Sequence, residues 1–193
     1  MALARVADVR VWDAPRGQVI TTFAHPTPMG SPRMFLVIAA SGPWFQVQLP
    51  ARPNGSTGWV HRDDVDRAPM PWQVTVDLAA RRLDVMKNGV LVRSHTVAVG
   101  KATTPTPTGI YFVTDVNYTG HPDGPYGPMA LGLSAFSDVL TQFGGGPGQI
   151  GIHGTNEPTR LGEAVSAGCI RLPNDAVVDL ANLVPVGTVV AIV

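Results

Sequence analysis

The chain is short of the residues that usually announce a partner. Lysine occurs only at Lys87 and Lys101, and the formal net charge of the 193 residues is +0, so no basic stripe for nucleic acid can form. No apolar run approaches the length of about 18 residues that a membrane-spanning helix needs. Cys169 is the single cysteine, which excludes an internal disulfide and leaves no companion thiol for a zinc site. His25, His61, His95 and His121 fall at no metal-ligand spacing and read as structural or exposed. The start, Met1 to Asp13, lacks the apolar centre of an export signal and reads as a strand, so it is either a cytoplasmic start or a chain whose export signal lies elsewhere.

What the chain has in quantity is turn residues: Gly 21 and Pro 18 separate many short, valine-rich apolar runs. That pattern predicts a mainly β fold with many turns. Val9 and Val11 alternate with polar neighbours, Gln18 to Phe23 and Met34 to Ala40 are extended, and Phe45, Val47 and Leu49 alternate against Gln46 and Gln48. With Trp59-Val60 these make five short strands within residues 1–67, enough for a small barrel. Trp44 and Trp59 suit a groove or the barrel interior equally well. Ala68-Pro69-Met70-Pro71 is a stiff connection, taken with Trp72 as a linker over 68–72.

The patterning restarts over residues 73–193. Val74, Val76 and Leu78 alternate, and Asn88-Gly89 between Leu83–Met86 and Val90–Val92 is a strong hairpin signal. Ile110–Val116, Met129–Leu133, Gln149–His153 and Val189–Val193 read as further strands. Residues 117–128 are too polar and too rich in Gly and Pro for a core element, and a loop of that length suits a lid. One short C-terminal helix is predicted over Asn174–Leu183, with Asn174 as N-cap and Val177, Val178 and Ala181 as its apolar face.

The chemistry concentrates between Ile152 and Leu172. Amide acyl transfer needs a nucleophile, a base and oxyanion donors. Cys169 is the candidate nucleophile, Gly168 beside it admits a close backbone approach, and the N–H groups of Gly168 and Cys169 are candidate oxyanion donors. His153 ends a β-branched run and so sits at a strand end. Arg171, two residues beyond Cys169, shares its face on a strand and could hold a carboxylate. Singly, each has a plainer reading: a lone cysteine is most often a buried small hydrophobe.

Their combination with flanking motifs resembles the L,D-transpeptidase catalytic domain (the YkuD family) over about residues 73–193. The resemblance is carried by Thr106-Pro107-Thr108-Gly109-Ile110-Tyr111-Phe112, Pro125-Tyr126-Gly127-Pro128, Ile152-His153-Gly154-Thr155-Asn156 and Ser166-Ala167-Gly168-Cys169-Ile170-Arg171. It implies a β-rich domain with its site under a lid. By position, Cys169 resembles the nucleophile, His153 the general base, and the Gly154 carbonyl the group that orients the imidazole. Arg171, Tyr126 and Ser166 are the implied substrate contacts. One position departs: the family usually carries Ser-His-Gly-Cys, and Ala167 replaces that histidine. Residues 1–67, through Gly55-Ser56-Thr57-Gly58-Trp59-Val60, resemble a bacterial SH3-like domain, read either as a wall-binding module or as a spacer.

The resemblance implies a peptidoglycan L,D-transpeptidase that makes 3→3 cross-links through a thioacyl-enzyme, with donor and acceptor stem peptides as partners and carbapenems as covalent inhibitors. It also implies an extracytoplasmic location, in the cell wall or periplasm. The rival readings are an L,D-carboxypeptidase, a papain-like endopeptidase (disfavoured because histidine precedes cysteine) and a non-catalytic wall-binding protein.

Overall fold

In the computed structural model, which covers residues 1–193, two separate cores form along the chain. The first belongs to a seven-stranded sheet built from β1 (Ala2–Ala4), β2 (Asp8–Trp12), β3 (Val19–Ala24), β4 (Met34–Ser41), β5 (Trp44–Gln48), β6 (Thr57–His61) and β7 (Val65–Arg67), in the order β3-β2-β6-β5-β4-β1-β7. The alternation read from the sequence is the one observed: Val9 and Val11 are buried while Asp8 and Arg10 face solvent. Two strands exceed the expected five. β1 and β7 pair antiparallel, Ala2 opposite Arg67, and so tie the two ends of this segment together. Trp44 is buried, edge-on to both Trp12 and His61, while Trp59 is half-exposed.

The second sheet uses β8 (Trp72–Asp77), β9 (Arg82–Lys87), β10 (Val90–Thr96), β12 (Gly109–Tyr118), β13 (Met129–Phe136), β14 (Gln149–His153), β16 (Ile170–Arg171) and β17 (Val189–Ile192), in the order β10-β9-β8-β17-β12-β13-β14-β16. Between them β11 (Val99–Gly100) and β15 (Ala164–Ser166) form a short parallel pair. Trp72 is already the first residue of β8, so the connection ends at Pro71. Asn88 and Gly89 both take positive φ, 51 and 77, the type I′ geometry that the hairpin signal demands.

The helix α1 (Asn174–Leu183) has the expected bounds and two unexpected details. Its N-cap is Pro173, with no side-chain cap bond, because the Asn174 carboxamide is engaged elsewhere. Its buried face is Ala176, Val177 and Leu180, whereas Val178 points to solvent.

β12 shows why the two cores belong together. Tyr111, Phe112, Val113, Thr114 and Asp115 are buried in succession, which a strand with one wet face cannot do. Tyr111 and Val113 join the larger core, and Phe112 between them turns to the opposite face, where β4 lies against β12. Polar contacts seal that side: Gln48 Nε2 donates to the Ile110 carbonyl at 2.7 Å, and the Thr27 hydroxyl donates to Asp115 Oδ1 at 2.5 Å.

The register of the β9–β10 hairpin gives a direct check on the core. Leu83 is fully buried and Leu91, on the next strand, is 58% exposed. Leu83→Ala should lower unfolding stability by about 2–5 kcal/mol, and Leu91→Ala by no more than about 0.5 kcal/mol, both measured by denaturant titration.

Candidate active site

Three strand ends converge on one cleft of about 140 Å³. β14 delivers His153 as its last residue, and β16, paired parallel to it with His153 opposite Arg171, begins just after Cys169. Parallel pairing of these two strands is what brings together side chains so far apart in sequence. His153, Cys169, Arg171, Ser166, Ala167 and Tyr126 all line the cleft.

His153 is buried, and its Nδ1 lies 2.6 Å from the Gly154 carbonyl oxygen. A carbonyl can only accept, so Nδ1 carries the proton and Nε2 keeps its lone pair. Burial pushes the imidazole pKa down to about 4; the Gly154 hydrogen bond pulls it upward, and the Arg171 charge adds to the depression. The ring is therefore neutral near pH 7. The Cys169 thiol, half-buried, is pushed up by desolvation, and a Gly151 backbone hydrogen bond and the Arg171 charge oppose that rise. The resting pair is thus thiol and neutral imidazole.

Gly154 can hold its carbonyl there because nothing projects from its Cα. A Cβ at Gly154 would meet Asn174 Oδ1 and come within 2.9 Å of the Gly127 Cα. Gly127, at φ +60, mirrors this: its own Cβ would fall 2.6 Å from the Gly154 Cα. Asn174 closes the cluster by accepting the Thr155 N–H at 2.8 Å and donating to the Pro122 carbonyl at 3.4 Å. The 119–128 loop is therefore fastened to the residue that follows the histidine. From that loop Tyr126 tilts over the imidazole, ring centroids 4.8 Å apart at 59°. Its phenol pKa is raised by desolvation first and by the nearby Cys169, with Arg171 opposing.

The 166–169 turn corrects two expectations. Ser166 lines the cleft, yet its hydroxyl is engaged within the turn: it donates to the Cys169 carbonyl at 2.6 Å and accepts the Gly168 N–H at 3.1 Å. The Gly168 N–H is therefore not free for an oxyanion. The N–H groups of Ala167 and Cys169 have no acceptor in the protein. Thr106 braces the turn from outside, donating to the Gly168 carbonyl at 2.8 Å and accepting the Gly100 N–H at 2.9 Å. Gly168 itself sits at φ +124, and a Cβ there would lie 2.9 Å from Ile150 Cδ1, so no other residue fits.

Arg171 is also more constrained than its sequence position suggests. Its Nη1 donates to Glu157 Oε2 at 2.7 Å, while its Nε is buried without an acceptor. Sequence reading did not find Glu157, Asn174, Gly127 or Thr106 as parts of the site. The only signal for the first was an acidic residue between the two catalytic candidates.

Comparison with known proteins agrees with this geometry. Residues 71–192 match the YkuD family, described as the L,D-transpeptidase catalytic domain. The YkuD protein of Bacillus subtilis is 38% identical over 127 residues, covering 66% of this chain and 69% of that protein. Its counterpart in Bacillus licheniformis is 40% identical over 123 residues, 64% of this chain and 66% of that protein. Among solved structures, the fold is similar to an L,D-transpeptidase from Mycobacterium smegmatis (TM-score 0.52, 16% identity, 80% of this chain and 79% of that one). It is similar as well to an L,D-transpeptidase solved in complex with imipenem (TM-score 0.51, 15% identity, 83% of this chain and 100% of that one). The family match takes in every strand from β8 to β17 and the whole cleft, and on that ground the chain belongs to the YkuD family of L,D-transpeptidase catalytic domains.

Proposed function

We propose that this chain is a peptidoglycan L,D-transpeptidase that forms 3→3 cross-links through a thioacyl-enzyme on Cys169. The observation that carries the reading is the contact of His153 Nδ1 with the Gly154 carbonyl at 2.6 Å, which leaves Nε2 with its lone pair on a side chain that lines the same cleft as Cys169. A neutral base beside a neutral thiol is the arrangement that general-base activation needs.

In the first half-reaction Cys169 Sγ attacks the carbonyl carbon of the third residue of a donor stem, a diamino acid, while its proton passes to His153 Nε2. The tetrahedral oxyanion meets the Ala167 and Cys169 N–H groups, the donors left without protein acceptors. The C–N bond then breaks, and His153 returns the proton to the departing D-alanine amine. In the second half a side-chain amine of an acceptor stem attacks the thioester, the C–S bond breaks, and a proton from the amine restores the thiol through His153. Arg171 stabilises thiolate over thiol, and its guanidinium, which lines the cleft, would hold a carboxylate of the bound stem. No metal or organic cofactor enters these steps.

The same reading divides the chain into an SH3-like module over residues 1–67, a connection over 68–71 and the catalytic domain from β8 onward. The separate nine-residue core of the first sheet supports it. The substrate places the working protein outside the cytoplasm, in the cell wall or periplasm. A carbapenem, whose strained amide carbonyl offers Cys169 the same target as a stem peptide, should acylate that thiol; imipenem in a structural relative points the same way.

Intact-mass analysis after meropenem exposure should show one adduct on the natural protein and none on Cys169→Ala; an adduct on that variant would sink the assignment. His153→Ala should slow acylation by about 10²–10⁴-fold. The pH profile supplies the sign. His153 acts as base only while unprotonated, and its pKa lies at about 4 and not at 6.5. Acylation rates should therefore hold steady as pH falls through 6.5 and decline only on approaching 4. An acid limb centred near 6.5 would contradict a buried neutral imidazole.

A further inference from the structure

The seven-stranded sheet reaches the catalytic cleft through one loop. Between β5 and β6, Arg52 extends its guanidinium to the segment that joins β13 to β14. Nη1 donates to the Ser137 carbonyl at 2.7 Å, and Nη2 donates to the carbonyls of Leu140 at 2.9 Å and Pro147 at 3.0 Å. The same group lies over the Phe136 ring, 5.3 Å from its centroid. Asn54 completes the grip. Its Nδ2 donates to the Phe136 carbonyl at 2.7 Å and to Asp138 Oδ1 at 3.0 Å, and its Oδ1 accepts the Phe136 N–H at 2.8 Å.

The gripped segment has little of its own to hold it. Its own bonds are a Phe143–Gly146 bridge, the Ser137 N–H to the Gly148 carbonyl at 2.8 Å, and the Ser137 hydroxyl accepting the Val139 and Leu140 N–H groups at 3.3 and 3.0 Å; it runs without a strand ladder through Gly144, Gly145 and Gly146. Its shape follows Arg52: a Cβ on Gly148, at φ +72, would fall against the Leu140 carbonyl and 2.9 Å from Arg52 Nη2. Yet this segment is one wall of the cleft. Ser137, Leu140, Phe143 and Gly148 line it, and a Cβ on Gly144 would stand 3.4 Å from the Tyr126 hydroxyl. Arg52 itself is not a lining residue and touches neither His153 nor Cys169.

We infer that Arg52, assisted by Asn54, is a positioning residue for the reaction: the N-terminal sheet builds the outer wall of the cleft by holding residues 137–148 in the shape that seats the acyl donor. This rests on the Cys169 acylation proposed above. Three carbonyls converging on one guanidinium are satisfied by a planar fork and not by a single ammonium. Replacing Arg52 therefore loosens the wall, and donor seating suffers while the intrinsic reactivity of the thiol does not.

The test uses the full chain and the Arg52→Ala and Arg52→Lys variants. Three readouts are taken: amide hydrogen exchange over residues 137–148, the saturation kinetics of Cys169 acylation by meropenem, and Cys169 alkylation by iodoacetamide, a reagent too small to need the wall. Arg52→Ala should speed exchange in 137–148 by about tenfold or more with β14 unchanged. It should also weaken acylation by about 10- to 100-fold, chiefly in the half-saturation concentration, with alkylation held within about twofold. Arg52→Lys should restore only part of both losses. Unchanged exchange and acylation in Arg52→Ala would overturn the inference. So would a parallel fall in acylation and alkylation, which signals lost thiol reactivity and not donor seating, or a fall in acylation with faster alkylation, which signals general unfolding that exposes the half-buried thiol; Arg52→Lys, which keeps the charge and most of the stem, separates that case from local loosening. If meropenem failed to acylate even the natural protein, the transpeptidase reading alone would fall, and the exchange difference would still decide whether Arg52 shapes the cleft.

Discussion

The site depends on one short hydrogen bond, from His153 Nδ1 to the Gly154 carbonyl, 2.6 Å long and shielded from water. A carboxylate in that place would pull the imidazole towards its charged form, because an opposite charge nearby favours ionisation. A carbonyl fixes the tautomer without that pull, so burial prevails and the ring stays neutral. The geometric demand is severe, since the acceptor belongs to the very next residue. The chain must bend immediately after β14, and it can do so only where a glycine backbone packs on another glycine backbone. Gly154 against Gly127, with the Asn174 carboxamide between their surroundings, satisfies that demand. The base and the lid are therefore set by the same contact.

Charge around the thiol follows from the same economy. With imidazole and thiol both neutral at rest, the formal charge among the cleft-lining side chains is Arg171. It lowers the cost of forming thiolate and discourages imidazolium, two effects that act in opposite directions on an ion pair. Such a site does not hold a stored thiolate–imidazolium pair; in the proposed mechanism one forms only as the proton moves. Glu157 takes one corner of the guanidinium and leaves Nε without an acceptor, so the arginine is anchored and still incomplete.

Much of the fold was legible because strands declare themselves locally. Val9 and Val11, the Asn88-Gly89 turn, Gln149–His153 and the bounds of the helix need only neighbours in sequence. That His153 and Cys169 share a cleft was legible for a different reason: both are rare residue types, each set beside glycine. What stayed hidden were contacts whose partner is backbone. Asn174 reads as a helix cap because caps and loop braces use the same carboxamide, and only the fold brings Thr155 and Pro122 within its reach. Ser166 reads as a substrate contact, yet the tight turn at Gly168 hands its hydroxyl two closer partners. Arg52 grips three carbonyls, and a carbonyl leaves no trace in residue identity.

That last class of contact explains why the chain cannot be read as a catalytic unit with an ornament attached. β12 buries five residues in succession, and a single core covers only every second one. The intervening face needs the seven-stranded sheet against it, and Gln48 and Thr27 meet the polar groups that this contact would otherwise strand. Once the sheet is docked for the sake of burial, its β5–β6 loop lies within reach of the cleft, and Arg52 and Asn54 turn that proximity into a wall. A packing requirement on the far face of the sheet thus reaches the chemistry on its edge, through strands too rigid to deform independently.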